Sequence, residues 1–221
     1  FVSINKTIDF AIFSIPITIL CVLLLTNSLN MIDGINGLCS SYKISSLIII
    51  FIYLIISEKN GIILEKDLQD LLFLKKLIIM YIFVLFIFLI FNIQGKVFLG
   101  DSGVYLSSSI FAYILIKIYK ISSIFTPEII FLILFLPGID MFRVFLVRIY
   151  NKKNPFVGDR IHLHHLLLNK FNFNQIILIF LGIQISSLSI FYFYKNFFFI
   201  LLICLFVYFS LIVKYKRTND I

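Results

Sequence analysis

Long apolar runs and short polar segments alternate along the chain, and this pattern predicts a bundle of membrane-spanning helices. A helix needs roughly 20 predominantly apolar residues to cross a bilayer. The apolar runs cover residues 10–26, 44–57, 77–91, 104–116, 129–136, 176–194 and 197–213. We therefore expect an all-α, polytopic transmembrane bundle with about seven spans. The run at 44–57 is short, and it crosses only if Ser40, Ser41 and Tyr42 extend it.

Three polar segments interrupt the apolar pattern, at residues 27–38, 92–103 and 140–170. Two apolar runs separate each segment from the next, so all three segments are expected on the same face of the membrane. The run at 129–136 is expected to stop at Pro137 and Gly138, because proline breaks the hydrogen-bond ladder of a helix. On the opposite face, residues 58–76 are expected to form a solvated loop with balanced acidic and basic side chains.

Composition agrees with a membrane protein: 61% of the residues are hydrophobic, 14% are charged, and the mean hydropathy is +1.09. A soluble domain of this length does not have that balance, so residues 1–221 are expected to form a single integral membrane domain. The net charge of +8 does not indicate nucleic acid, because lysine and arginine lie in short loops and in the C-terminal tail. Cytoplasmic loops carry such an excess. We therefore expect membrane lipid as a partner, no nucleic acid, and polar segments that face the cytoplasm.

The first polar segment reads NSLNMIDGINGL and is more polar than a membrane span requires. Its polar side chains are those of Asn27, Asn30, Asp33 and Asn36. The two glycines among them let the backbone turn sharply and approach a ligand closely. The segment is therefore a candidate wall of a ligand site. A hydrated helix end, with asparagine and glycine as stop signals, remains an equal alternative.

The second polar segment contains VFLGDSG and places Asp101 and Ser102 at the start of a helix. Both residues are good helix caps, so capping alone is one interpretation. The free N–H groups of a helix N-terminus also suit a phosphate. An aspartate at that position can hold Mg²⁺, which commonly shares its ligand shell with substrate phosphates. Phe98 is available to stack on a planar base.

The third polar segment holds all three histidines of the chain, His162, His164 and His165, directly after Asp159 and Arg160. Arginine contacts phosphate in a bidentate manner and imidazoles donate hydrogen bonds, so the cluster favours an anion site. A zinc site and a basic loop at anionic lipid head groups remain alternatives. Together, the three segments contain the parts of a phosphoryl-transfer site, because positioning and charge neutralisation carry that reaction.

The motifs NSLNMIDGINGL, VFLGDSG and PGIDMF…NPFVGDRIHLHHLL, in this order, resemble those of the polyprenyl-phosphate N-acetylhexosamine-1-phosphate transferases, a branch of glycosyltransferase family 4. The resemblance implies that a UDP-sugar and undecaprenyl phosphate give undecaprenyl-diphosphate-sugar and UMP at the cytoplasmic face of a bacterial inner membrane. The transferred group would be N-acetylglucosamine 1-phosphate or a related N-acetylhexosamine 1-phosphate, with Mg²⁺ or Mn²⁺ as cofactor. Such a step initiates a cell-envelope polysaccharide such as O-antigen or teichoic acid, and it is compatible with a homodimer.

The resemblance also implies roles for individual residues. Asp33 and Asp101 would ligate the metal and act in catalysis together with His164 and His165. The substrate-binding residues would be, on the uracil side, Asn92, Phe98 and Gly100, and elsewhere Asn27, Asn30, Asn36, Asp159, Arg160 and His162.

The chain departs from the family pattern in two places. Family members carry two adjacent aspartates in an earlier loop, whereas no two carboxylates are adjacent in this chain. We therefore expect the chain to be the C-terminal portion of the enzyme, without its N-terminal spans, and to be inactive in isolation. Many members also have aspartate where Asn36 stands, and asparagine keeps an acceptor but loses the charge. The lipid I translocase of the same family, a membrane transporter and a non-catalytic remnant of a transferase remain alternatives.

Overall fold

A computed structural model describes residues 11–61, 67–121, 125–155 and 160–215, and this part of the chain is helical without any strand. Two 3₁₀ turns lie at Ala11–Phe13 and Ile32–Gly34. The α-helices are α1 (Ser14–Met31), α2 (Leu38–Lys59), α3 (Leu68–Ile93), α4 (Gly100–Ile121), α5 (Pro127–Tyr150), α6 (Leu163–Leu167), α7 (Phe173–Tyr194) and α8 (Phe197–Tyr215). All but the short α6 are long and apolar enough to cross a membrane, which makes seven candidate spans in the described ranges. The predicted all-α, polytopic membrane fold is confirmed.

Helix α2 resolves the doubt about the short second apolar run. It has 22 residues and begins at Leu38, so Ser40, Ser41 and Tyr42 extend the span as expected. At about 1.5 Å per residue the helix is roughly 33 Å long, which matches the hydrocarbon core of a bilayer. The crossing returns the chain to the opposite face, as the placement of the three polar segments on one side requires.

The expectation that the fifth span stops at Pro137 is wrong, because α5 continues from Pro127 to Tyr150. A proline inside a helix leaves the carbonyl four residues earlier without its N–H donor. Here that carbonyl belongs to Ile133, and it accepts hydrogen bonds from the Tyr42 hydroxyl (2.7 Å) and from Gln184 Nε2 (3.4 Å). Side chains of neighbouring helices thus replace the lost backbone bond, as membrane bundles allow.

Two other predicted loops are largely helical. Helix α1 extends through Asn27 and Asn30 to Met31, and the turn at Ile32–Gly34 follows it directly. On the opposite face α2 ends at Lys59 and α3 begins at Leu68, so both ends of the predicted 58–76 loop belong to helices. The Lys75 ammonium pairs with the Glu58 carboxylate between these two helices. In both places the helices extend further than expected, because neighbouring helices satisfy their polar side chains.

The core of the bundle lies where α1 packs against α4 and α5, and where α2 packs against α3 and α7. The Gln184 side chain of α7 donates to Ser46 Oγ of α2 at 2.8 Å, which ties these helices together inside the bundle. Many large apolar side chains of α1, α3 and α8 are exposed. Such faces suit contact with lipid, because bilayer tails are as apolar as the side chains themselves.

An amide of α3 joins the first and second polar segments. Asn92 is buried in the last turn of α3, where its Oδ1 accepts from the Gly37 N–H at 2.6 Å. Its Nδ2 donates to the Val97 carbonyl at 2.8 Å. Gly37 has φ = +84°, a left-handed conformation, and it directly precedes α2. One side chain therefore fixes both the turn into α2 and the loop before α4.

We expect Gly37→Ala to destabilise the protein strongly. An added Cβ would lie 2.9 Å from Ile93 Cγ1, in a backbone conformation that alanine rarely adopts. Left-handed strain of about 1 kcal/mol and overpacking of about 1–3 kcal/mol should both lower the free energy of unfolding. Thermal unfolding in detergent measures the loss. Gly61→Ala is the matched control, because Gly61 has φ = +62° but no atom within 4 Å of an added Cβ. Equal losses in the two variants would contradict the proposed close contact.

Candidate active site

The third polar segment lies directly against the first. A Cβ added at Gly34 would lie 2.5 Å from His164 Nε2 and 3.2 Å from His165 Nε2. The absence of a side chain at position 34 therefore lets two imidazoles approach the turn that carries Asp33. With the Gly37–Asn92 hydrogen bond, this contact brings the three predicted segments together at one end of the bundle.

Two carboxylates from different segments interact at this end of the bundle. Asp33 is half-buried in the 3₁₀ turn after α1, and Asp101 is exposed in the first turn of α4. The two carboxylates repel each other electrostatically, and Lys43 attracts Asp33. Groups of three or more histidine, cysteine, aspartate or glutamate side chains that suit a metal ion do not occur among the described residues. Within this part of the chain, Asp33 and Asp101 thus form a pair of carboxylates rather than a larger cluster of potential metal ligands.

A buried carboxylate, Asp140, holds the histidine segment in place. Only 1% of Asp140 is exposed, and its Oδ1 accepts from the Tyr208 hydroxyl (2.7 Å) and from Arg143 Nη2 (2.9 Å). The Leu163 N–H donates to the same oxygen at 3.1 Å, and His162 Nδ1 lies 2.8 Å from Oδ2. These donors come from α5, α8 and the histidine segment. Asp140 thus fixes three parts of the chain relative to one another.

The bond to Asp140 also determines how the histidines face each other. A carboxylate accepts a hydrogen bond, so His162 Nδ1 carries the proton and the ring orientation is set. The His162 ring stacks on the His164 ring with centroids 5.7 Å apart, and His165 is tilted against His164 at 4.2 Å. Arg143 Nη2 strengthens the arrangement by donating to the Ile161 carbonyl at 2.6 Å. The position of His164 is therefore defined from both sides.

His164 is fully buried, and neither of its ring nitrogens hydrogen-bonds to any group in the described ranges. Burial, together with the smaller effect of the neighbouring His165, lowers the pKa of this imidazole from about 6.5 to about 3. A neutral imidazole offers one N–H donor and one acceptor. Buried polar atoms normally have partners, so the two ring nitrogens, unpaired within the described ranges, make His164 a candidate for hydrogen bonds with a bound molecule.

The other predicted residues of the first segment lie near this centre. Asn36 is exposed, and its Nδ2 lies 3.6 Å from the position of a Cβ at Gly95, so the first and second segments are adjacent there. Asn27 accepts a hydrogen bond from the Tyr105 hydroxyl of α4 at 3.4 Å. Asn30 is half-buried in the last turn of α1.

The remaining predicted residues lie at the edge of the site. Phe98 is 81% exposed, and Arg160 is also exposed. Gly100 begins α4 with φ = +60°, and Asp159 lies outside the described residues. The Asn92 side chain is occupied by its bonds to Gly37 and Val97, so within the chain it has a structural task. Its contact with a nucleotide stays a prediction, as do the roles of the others.

Sequence reasoning missed two groups of residues at this end of the bundle. Asp140 and Arg143 belong to the third polar segment, but the sequence does not indicate their partner Tyr208, since it lies in an ordinary apolar span. Lys43 was missed because it stands at the edge of the second apolar run. It is fully buried and donates to Ser107 Oγ at 2.6 Å. The available signal was an ionisable residue inside a membrane span, which is by default a functional candidate.

The low pKa of His164 predicts a loss of stability in acid. Unfolding restores the pKa from about 3 to about 6.5, so the unfolded chain binds more protons between these values. Stability is therefore complete above pH 6.5 and falls as the pH drops towards 3, by up to about 1.4 kcal/mol per pH unit. Thermal unfolding of the purified protein between pH 7.5 and 4.5 should show a steeper decline for the wild type than for His164→Asn. Parallel declines in the two proteins would contradict this assignment.

Comparison with known proteins adds an independent finding. A sequence model of the family described as glycosyl transferase family 4 matches residues 1–119. A probable undecaprenyl-phosphate N-acetylglucosaminyl 1-phosphate transferase of Bacillus subtilis (strain 168) is 30% identical over 155 residues, which cover 69% of this chain and 40% of that relative. The undecaprenyl-phosphate alpha-N-acetylglucosaminyl 1-phosphate transferase of Escherichia coli (strain K12) is 30% identical over 160 residues, with the same two coverages. The protein of that name from Yersinia pestis is 28% identical over 160 residues, covering 71% of this chain and 41% of the relative. The chain thus spans about 40% of the length of these curated relatives.

Proposed function

The chain belongs to glycosyl transferase family 4, and from this premise we propose that it transfers a sugar 1-phosphate from a UDP-sugar to undecaprenyl phosphate. N-acetylglucosamine 1-phosphate, or a related N-acetylhexosamine 1-phosphate, is the transferred group. The relatives named above support this choice, since all three are named for N-acetylglucosamine 1-phosphate transfer. An oxygen of the acceptor phosphate bonds to the phosphorus that carries the sugar, and UMP leaves with the electrons of the broken P–O bond. The product starts a cell-envelope polysaccharide.

The observation that carries the proposal is the meeting of three polar segments around Asp33, Asp101 and His164. Asp33 and Asp101 fit Mg²⁺ or Mn²⁺, because both ions prefer oxygen ligands and Mg²⁺ is commonly held by one or two carboxylates plus substrate phosphates. When bound, the ion would neutralise part of the negative charge on the diphosphate. The exposure of Asp101 leaves its carboxylate accessible from water. We therefore expect the diphosphate to bind at the carboxylate pair.

The histidine segment has a different task in this proposal. His164 is neutral and donates one hydrogen bond to a phosphate oxygen, and His165 acts beside it. Arg160 is exposed at the start of the same segment and offers a fixed charge to the sugar phosphate. The nucleotide lies on the side of Asn36 and Phe98, where the second segment adjoins the first. In this proposal the phosphate-binding groups lie on the third segment, whereas the metal-binding and nucleotide-binding groups share the first and second segments.

Replacing Asp101 should remove most of the activity. The chain is expressed together with any sequence encoded upstream of Phe1 in its reading frame. Membranes from these cells are then supplied with UDP-N-acetylglucosamine, undecaprenyl phosphate and Mg²⁺. We expect UMP release, and about a 100-fold or greater loss of it in Asp101→Asn, since the variant lacks a charge at the reacting diphosphate. Asp70→Asn is the matched control, because Asp70 is also exposed and acidic but binds Lys117 at 3.1 Å. Undiminished release by Asp101→Asn would refute the proposed metal ligand.

The proposed orientation in a bacterial cytoplasmic membrane has its own test. Single cysteines are introduced as Asn36→Cys, Ser102→Cys and Asn60→Cys after replacement of the three native cysteines. The first two sites lie at the candidate active site, and Asn60 is exposed at the other end of α2. A membrane-impermeant maleimide added to intact cells should label Asn60→Cys, and it should reach the others only after the membrane is opened. Labelling of Asn36→Cys in intact cells would reverse the orientation, since these segments are expected to face the cytoplasm.

A further inference from the structure

A lysine is buried inside the bundle behind the carboxylate pair. Lys43 lies in the second turn of α2, and none of its surface is exposed. Its Nζ donates to Ser107 Oγ of α4 at 2.6 Å, and it also interacts with the Cys39 thiol one turn earlier on α2. A charged side chain inside a membrane bundle is costly and almost always pairs with another group. Neither a serine hydroxyl nor a thiol supplies a compensating charge, so these contacts alone do not explain the lysine.

The candidate active site supplies one opposite charge that acts on this lysine. Lys43 interacts electrostatically with Asp33, and Asp33 in turn interacts with Asp101. No direct Lys43–Asp33 salt bridge forms within the described residues. The attraction therefore acts through space, which is effective because the interior of a membrane protein screens charges weakly. Lys43 therefore acts on Asp33 without occupying its oxygens.

The position of Lys43 is well defined. Ser107 is itself buried, and its hydroxyl also donates to the Val104 carbonyl of α4 at 3.1 Å. The Tyr81 hydroxyl of α3 donates to the Ser107 carbonyl. Helices α2, α3 and α4 thus meet around the ammonium group, and α4 is the helix whose first turn carries Asp101. The ammonium group therefore has a defined position against the helix whose first turn carries Asp101.

We propose that Lys43 is a positioning residue that supplies a fixed positive charge behind the Asp33–Asp101 pair, weakening the binding of a divalent cation alone and strengthening the binding of an anionic diphosphate. This inference rests on the proposed function, because it concerns the same metal and diphosphate site. Without a counter-charge, the two carboxylates would hold a divalent ion more tightly in the absence of substrate than they do beside a lysine. With Lys43 present, tight binding of the ion requires the phosphates of the substrate as additional ligands. Lys43 thereby couples metal binding to substrate binding.

The decisive measurement is Mn²⁺ binding without substrate. Electron paramagnetic resonance measures the concentration of free Mn²⁺ in a solution of the purified full-length protein. Lys43→Met removes the charge and keeps most of the length of the side chain. We therefore expect this variant to bind Mn²⁺ about tenfold more tightly than the wild type. In the UMP-release assay, the same variant should show a KM for the UDP-sugar raised by about tenfold. Structural damage would weaken Mn²⁺ binding, so tighter binding is specific to the lost charge.

Two further variants separate charge from packing. Ser107→Ala removes the hydrogen bond but leaves the lysine charge, so its Mn²⁺ affinity should stay within about twofold of the wild type. Lys43→Gln removes the charge but keeps a donor for Ser107, and it replaces Lys43→Met if the latter does not fold. We expect Lys43→Gln to tighten Mn²⁺ binding as Lys43→Met does.

Different outcomes refute different claims. Unchanged Mn²⁺ affinity in both Lys43 variants, with UMP release intact in the wild type, overturns the role of Lys43 and leaves the proposed function standing. An equal shift in Ser107→Ala also overturns it, since packing would then explain the effect. A third outcome is that the Lys43 variants bind Mn²⁺ more tightly than the wild type, but the wild type releases no UMP. In that case the proposed function fails while the charge effect stands.

Discussion

The hydrogen bonds of Asp140 are the interaction on which the arrangement of the candidate site depends. An ionised carboxylate inside a membrane bundle is strongly unfavourable unless charged or polar donors surround it. Asp140 has donors from Arg143, Tyr208, the Leu163 backbone and His162. Because these donors come from separate parts of the chain, satisfying one carboxylate also docks the histidine segment onto α5 and α8. The stacking of His162 on His164, and the contact of His164 with Gly34, follow from that docking.

Asp140 reaches its partners only because α5 does not stop at Pro137. The proline stands three residues before Asp140, in the middle of a span whose continuation requires another donor for the Ile133 carbonyl. Tyr42 provides it, from the same part of α2 that carries Lys43. The first turns of α2 therefore support α5, whose Asp140 holds the histidine segment, and they also carry the lysine that attracts Asp33. A change in the packing of α2 against α5 would affect both halves of the site.

Seven spans and three polar segments on one side could be predicted from the sequence, because both depend on local composition and on the length of apolar runs. The partners of the polar side chains could not, since they are distant along the chain. Local rules made Pro137 a stop signal, whereas a tyrosine 95 residues earlier lets the helix continue. Gly34 was expected to allow a sharp turn and a close approach to a ligand, and the structure shows that it makes room for His164, a side chain 130 residues away. Lys43 looked like the edge of a span because Ser107, its partner, is 64 residues away.

The charges at this end of the bundle form two systems with different properties. In the first, Asp140 and Arg143 cancel, and the polar atoms of Asp140 are fully engaged with the chain. A system of this kind resists change and gives the site its shape. In the second, Lys43 attracts Asp33, and Asp101 repels it. In the proposed function, the oxygens of this second system bind the ligand, whereas those of the first are occupied by the chain itself. Structural stability and ligand binding would then depend on separate carboxylates, so that a change in one system need not disturb the other.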